Sequence, residues 1–320
     1  MPIDETLAGY SNLAFKSAFV VYVLVLAMFI VQYASARKKV TAARELVTVG
    51  GGPADAPGKV ADRPARPLTE RVGNMAFSVL FVAIGLHLAS IVLRGFAVHR
   101  FPLGNMYEFI TMATAAAMVT GLVFMHDRRY RGMWVFLIAP VLILMYLAGN
   151  VLYAEAAPVV PALKSFWLPI HVTIVSVGSG IFLLSGVASL LFLLRIRQPE
   201  GQESTNLLGA LARRLPDAQS LDRLAYKTTI VAFPLFGTGV ILGAIWAEAA
   251  WGRFWGWDPK ETVSFITWVV YAAYLHARAT SGWRDTKAAW INVAGFVAML
   301  FNLFIINIVV SGLHSYAGLN

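Results

Sequence analysis

Apolar residues along the chain fall into long blocks separated by short polar connections. Eight blocks, near 14–34, 75–94, 105–125, 132–152, 169–194, 228–248, 262–279 and 288–312, carry few charges. A helix needs about 20 such residues to cross roughly 30 Å of hydrocarbon, so the pattern predicts an all-α, polytopic integral membrane protein with about eight spans. The first block is too long and too weakly flanked for a cleavable signal peptide. Residues Met1–Leu13 contain Asp4 and Glu5 and no basic stretch, so this block reads as the first span.

Composition agrees. The 320 residues are 58% hydrophobic and 13% charged, about half the charged share usual for soluble domains. Most of the Lys and Arg lie in the connections after the first, third, fifth and seventh blocks, while the other side holds Lys16, Arg94, Arg100, Lys164, Arg253 and Lys260. Basic connections stay cytoplasmic, which places both termini outside. The formal net charge of +9 is thereby explained by topology, and the basic loops lack the aromatic interleaving of single-strand binders, which argues against a nucleic-acid partner.

The connection at 35–74 opens with Arg37-Lys38-Lys39 and continues through GGGPADAPGKVADRPARP. Such a stretch cannot bury a core and reads as a flexible cytoplasmic linker. It separates the first span, residues 1–34, from a membrane domain at 75–320. In the connection at 195–227, LLGALARRL spaces apolar and basic residues helically, so a helix on the membrane surface and a plain loop are both open readings. No repeat recurs at a fixed period. The chain has no cysteine, which rules out a thiolate nucleophile, thiol exchange or an iron–sulfur cluster carried by this chain.

The densest chemistry lies in WGRFWGWDPKE at 251–261. Asp258, Pro259 and Glu261 form a capping-box pattern that starts the seventh span: Asp accepts from free backbone N–H groups, Pro suits the first helical position, and Glu reaches back. Capping accounts for Asp258 and leaves it no role as a general base. One reading of the motif is a capped helix with interfacial aromatics. The other is a flat ligand surface, because Trp251, Phe254, Trp255 and Trp257 fall together with Gly252 and Gly256 beside a helix N-terminus that attracts carboxylates. A large planar ligand with acidic substituents suits that surface.

Ionisable residues within a membrane are rare and often functional, which directs attention to the six histidines. His171, just after Pro169, and His314, beyond the last span, fall at the same predicted face as the tryptophans. They read either as interfacial histidines bonded to water or as a pair that holds a haem iron from both sides. His276 lies 17 residues past Pro259, about 25 Å deeper at 1.5 Å per residue, with Ala272 and Ala273 leaving room for a second, separate ligand site. Arg278 is read as a topogenic anchor. His87 is read as a helix–helix hydrogen bond in preference to a ligand, His99 lies in an outer loop, and His126 sits in a solvated charge cluster.

WGRFWGWDPKETVSFITW with YLHAR resembles the tryptophan-rich signature of haem-handling cytochrome c biogenesis proteins. Together with FPLGNMYEF at 101–109, His171 and GLHSY, it is most similar to the CcsA family (also called ResC, and CcsB in some bacteria), the membrane core of the system II cytochrome c synthase. The resemblance covers the chain from about residue 75. It implies that His171 and His314 are external axial ligands and the catalytic pair, and that Trp251, Gly252, Trp255, Gly256, Trp257 and Asp258 bind haem b (iron protoporphyrin IX). It implies His276 as the ligand of an inner haem whose second ligand comes from a ResB-type partner.

The implied activity is thioether formation between haem vinyl groups and the CXXCH thiols of an apocytochrome c, at the outer face of a bacterial cell membrane, with lipid as the surrounding solvent. The chain departs from the pattern at Val263, where a further tryptophan is expected, and at AEAAWG, which lacks a more polar residue. A haem exporter or scaffold serving a separate ligase needs the same ligands. An unrelated transporter would show paired Gly/Pro interruptions in its spans, and none is seen.

Overall fold

In the bilayer every backbone polar group has to be satisfied within its own segment, so the apolar blocks fold as helices. The computed structural model describes residues 2–35, 68–159 and 161–314. Among them lie α1 Glu5–Ser35, α2 Leu68–Val98, α3 Met106–Phe124, α4 Trp134–Asn150, α5 Trp167–Arg197, α6 Leu207–Ala212, α7 Ala218–Trp251, α8 Pro259–Ala279 and α9 Thr286–Ile308. The expected linker at 35–74 is helical from Leu68 onward, and residues 36–67 of it lie outside the described residues.

Among the described residues, seven helices are long and apolar enough to cross a membrane, and the chain is a multi-pass membrane protein. The helix missing from that set is α8, expected as the seventh span. It has 21 residues, about 31 Å of helix, but Lys260, Glu261, Ser264, Thr267, His276 and Arg278 lower its apolar character. Its polar N-terminal part lines the cavity described below.

Helix α5 is the centre of the bundle, in contact with α3, α7 and α9, while α1 pairs mainly with α2. Small residues permit this centrality. A Cβ at Gly180 would strike the backbone of α3, and one at Gly186 would strike the Phe296 ring of α9. Between α5, α7 and α9, Ser185 Oγ lies 2.6 Å from Thr229 Oγ1, and Asn292 Nδ2 donates to Ser185 Oγ at 2.9 Å. These buried polar groups satisfy one another, as burial away from water requires. In the connection expected as surface helix or loop, α6 is a six-residue helix capped by Asn206, with Leu207 and Leu208 exposed.

One end of the bundle gathers the start of α1, the loop at 99–105, the segments at 151–159 and 161–166, the tryptophan motif and His314. Asp4 N–H donates to Ala97 O there at 3.0 Å. The other end gathers Arg128, Arg129, Arg131, Arg197, Arg213, Arg214, Arg223, Arg284 and Lys287.

Candidate haem-binding site

Helix α7 ends because Gly252 takes a left-handed φ of 71° and returns its N–H to Glu248 O at 2.8 Å. Glycine adopts that conformation without a Cβ penalty. The chain then crosses to α8, and Trp257, at φ 58°, makes the last turn before Asp258. Asp258 and Glu261 form the expected capping box: Lys260 N–H donates to Asp258 Oδ1 at 3.2 Å, and Asp258 N–H donates to Glu261 Oε2 at 3.1 Å. Glu261 also accepts from Gly256 N–H at 2.9 Å and pairs with Arg253 at 3.3 Å, so one carboxylate gathers the whole loop.

Asp258 does more than cap. Its Oδ2 accepts from Leu313 N–H at 2.9 Å, and its Oδ1 accepts from His314 Nδ1 at 2.8 Å. A Cβ at Gly312 would lie 2.6 Å from Oδ2, so the close approach needs glycine. Burial works against the Asp258 carboxylate, but the bonds from His314, Leu313 N–H and Lys260 N–H outweigh it and hold the carboxyl down to about 2. Burial also pushes His314 below its ordinary value, against the opposing effect of Asp258. The result is an ionised carboxylate orienting a neutral imidazole, whose lone pair lies on Nε2.

His171, in the first turns of α5, is anchored the same way. Its Nδ1 donates to Gly239 O of α7 at 2.7 Å, which again leaves the lone pair on Nε2. Gly243 lies one turn further on, and a Cβ there would sit 2.7 Å from His171 Cε1. Trp246 joins the two histidines. It is 1% exposed, stacks on His171 with centroids 6.0 Å apart and planes within 10°, and meets His314 edge-on at 5.8 Å. Trp251 contacts both Trp246, at 4.8 Å, and His314, at 5.1 Å.

These side chains line one partly open cavity, concave and mostly apolar as cofactor sites are. His171, His314, Trp246, Trp251 and Trp255 form one part of its wall, and Lys260, Ser264, Asn302 and Asn307 supply a polar part. Lys260 Nζ bonds Asn307 Oδ1, and Asn302 Oδ1 is buried without a hydrogen-bond partner. A flat ligand with two carboxylates and an iron centre fits this donor set: two imidazoles with Nε2 lone pairs, aromatic walls and a cation.

The FPLGNMYEF segment forms another side, through Leu103, Gly104, Met106 and Phe109. Glu108 holds it in place. It is almost fully buried and pairs with Arg94 at 3.0 Å and Arg100 at 2.9 Å, while Gly104 N–H donates to it at 2.7 Å. Further bonds offset part of the cost of burying these charges: Arg94 reaches Ala154 O and Arg100 reaches Ala157 O, while Arg94 Nη1 and Arg100 Nε are buried without a partner among the described residues.

The structure therefore brings His171, His314, Trp251, Trp255 and Asp258 together. Trp257 is 68% exposed, Gly252 and Gly256 are exposed, and none of the three lines the cavity. His276 lies on the exposed face of α8 with Ala273, away from the cavity, and Arg278 is held by Asp222 at 2.6 Å. His87 is buried with Nδ1 3.4 Å from Tyr22 OH, the helix–helix contact expected of it. His99 is exposed, and His126 caps back to Val123 O in an exposed turn. Sequence reasoning missed Trp246 and Gly243. The signal was the four-residue spacing of Gly239 and Gly243 before Trp246, a small-residue stripe that admits close approach.

The acid titration of this pair has a definite sign. A histidine whose folded value is lowered contributes stability that is full above its unfolded value of about 6.5 and declines as pH falls below it. The Asp258 contribution is full above about 3.9 and is lost as pH falls towards its folded value of about 2. NMR titration of labelled histidine should place the His314 midpoint below 6.5. A midpoint above it would mean that the imidazole is held charged.

The family model and the curated relatives agree on one family. A family model described as "Cytochrome C assembly protein" matches residues 72–314. The "Cytochrome c biogenesis protein CcsA" of Gloeobacter violaceus (strain ATCC 29082 / PCC 7421) is 31% identical over 304 residues, which cover 79% of this chain and 88% of that protein. The CcsA of Porphyra purpurea is 33% identical over 278 residues, covering 74% and 84%. Among solved structures, "Cytochrome c Heme Lyase CcmF" superposes with a TM-score of 0.62 at 16% identity, over 95% of this chain and 47% of that one, a likeness of fold.

Proposed function

Because this chain belongs to the Cytochrome C assembly protein family, we propose that it holds haem b between His171 and His314 and presents it for covalent attachment to apocytochromes c. The observation that carries the reading is the pair of imidazoles that line one cavity, each anchored through Nδ1 and both in contact with Trp246. The arginine-rich end of the bundle lies opposite the cavity, which supports a topology with the cavity and both termini at the outer face by the positive-inside rule. Helix α8 then counts as the eighth span, and the membrane is the bacterial cell membrane.

In this reading His171 and His314 ligate the iron until the histidine of an incoming CXXCH displaces one of them. The thiols and the vinyl groups then meet in register, and each S–H adds across a C=C, so that sulfur bonds one carbon and hydrogen the other. The chain's contribution is positioning. Trp246, Trp251 and Trp255 hold the plane, Lys260 offers a counter-charge to a propionate, and Gly239 O and Asp258 fix the ring orientations. His276, exposed on α8, is the ligand of an inner site that a ResB-type partner completes from outside. The test is co-expression with such a partner in a host lacking other synthases. Covalent cytochrome c supports a synthase. Haem-loaded protein with no covalent product supports an exporter or scaffold instead.

Asp258→Asn separates its two roles. Asparagine caps a helix about as well as aspartate, so thermal stability should stay near that of the parent, while a neutral amide holds the His314 ring less firmly. Loss of such an orienting partner weakens metal affinity about 10–100-fold, and haem titration of the purified protein should register it. Asp258→Ala should lose both roles, with about 0.5–2 kcal/mol of stability from the missing cap. Unchanged haem affinity in both variants would leave Asp258 as a cap only.

A further inference from the structure

We propose that a second crevice, between α1, α3 and α4, binds the headgroup of an anionic phospholipid of the phosphatidylglycerol type. The crevice is lined by Asn12, Lys16, Tyr107, Tyr146, Asn150 and Tyr153, none of which lines the cavity of His171 and His314. It sits at the same end of the bundle as that cavity, since Tyr107 is in the first turn of α3 and Tyr153 follows the last turn of α4.

Three observations point to this ligand. Lys16 is an exposed cation within the membrane-capable stretch Glu5–Gln32, and no carboxylate pairs with it among the described residues. An unpaired charge at that depth calls for a partner. Asn12, one turn before Lys16 on the same face of α1, donates through Nδ2 to Tyr153 OH at 2.8 Å, so the phenol's own proton points to another acceptor. Asn12 Oδ1 is buried with no hydrogen-bond partner. A phosphodiester satisfies the lysine and the phenol, and a hydroxyl on the headgroup satisfies the amide oxygen.

The acyl chains have a track. Val20, Val23 and Leu24 of α1 and Ile143 and Tyr146 of α4 are exposed and continue from the crevice along the bundle. A free phosphate ester would leave that track unused, which is why the lipid is the occupant. Its bound glycerol phosphate would tie the start of α1 to the end of α4, where Asn12 and Tyr153 already meet.

The experiment is native mass spectrometry of the full chain, delipidated in detergent and titrated with phosphatidylglycerol, phosphatidylcholine or soluble glycerol 3-phosphate. The parent should retain one phosphatidylglycerol in preference to phosphatidylcholine, and glycerol 3-phosphate should not displace it. Lys16→Gln, at an exposed position, should weaken that retention about fivefold, the worth of one lysine against an anionic leaflet, and Lys16→Arg should preserve it. Equal retention in Lys16→Gln, or displacement by glycerol 3-phosphate, would overturn the proposal.

Discussion

Replacing either His171 or His314 with glycine should reduce covalent haem attachment to a CXXCH reporter to background, and added imidazole should restore part of it. Both side chains line one cavity and are anchored through Nδ1, to Gly239 O at 2.7 Å and to Asp258 Oδ1 at 2.8 Å. Glycine deletes the ring while leaving the carbonyl and carboxylate that would receive the N–H of a free imidazole. Trp246 and Trp251 stay in place to hold the plane. Rescue should be weaker for His276→Gly, because His276 is exposed on α8 and lines neither of the two cavities described among these residues. Full activity of either outer variant without imidazole would remove that histidine from the ligand set.

Gly243→Val should be nearly as damaging without touching a ligand. A Cβ at residue 243 would sit 2.7 Å from His171 Cε1 and 3.1 Å from Nδ1, tighter than carbon and nitrogen tolerate. The ring must then leave Gly239 O, or α5 must move from α7. Overpacking of this kind costs about 1–3 kcal/mol, and the loss should appear in haem affinity, since the strain falls on the ligand ring itself. Gly243→Ala should show a smaller loss, and haem titration across glycine, alanine and valine should give a graded series. Parent-like affinity in the valine variant would mean that His171 does not ligate from this position.

The spans were legible because each records a local requirement, length and apolar content, which the bilayer imposes without regard to neighbours. The exception is instructive. Helix α8 has the length of an ordinary span, but its N-terminal turns carry Lys260, Glu261 and Ser264 into the cavity. Capping by Asp258 and Glu261 was equally local and could be read from a spacing of three. The contact from Asp258 to His314 spans 56 residues and has no local signature.

The tryptophans divide by backbone geometry. Trp251 ends α7 and faces the cavity, while the left-handed conformations at Gly252 and Trp257 turn Trp257 outward. Trp246 looked like one more apolar residue in the sixth block. Only the packing of α7 against α5 shows that it touches both histidines.

The most direct measurement of the central claim is the optical spectrum of the detergent-purified protein from haem-replete cells. The account predicts a b-type, six-coordinate, bis-imidazole spectrum from the outer site that changes in both His171→Gly and His314→Gly. A colourless parent preparation, or a spectrum left unaltered by both substitutions, would contradict it.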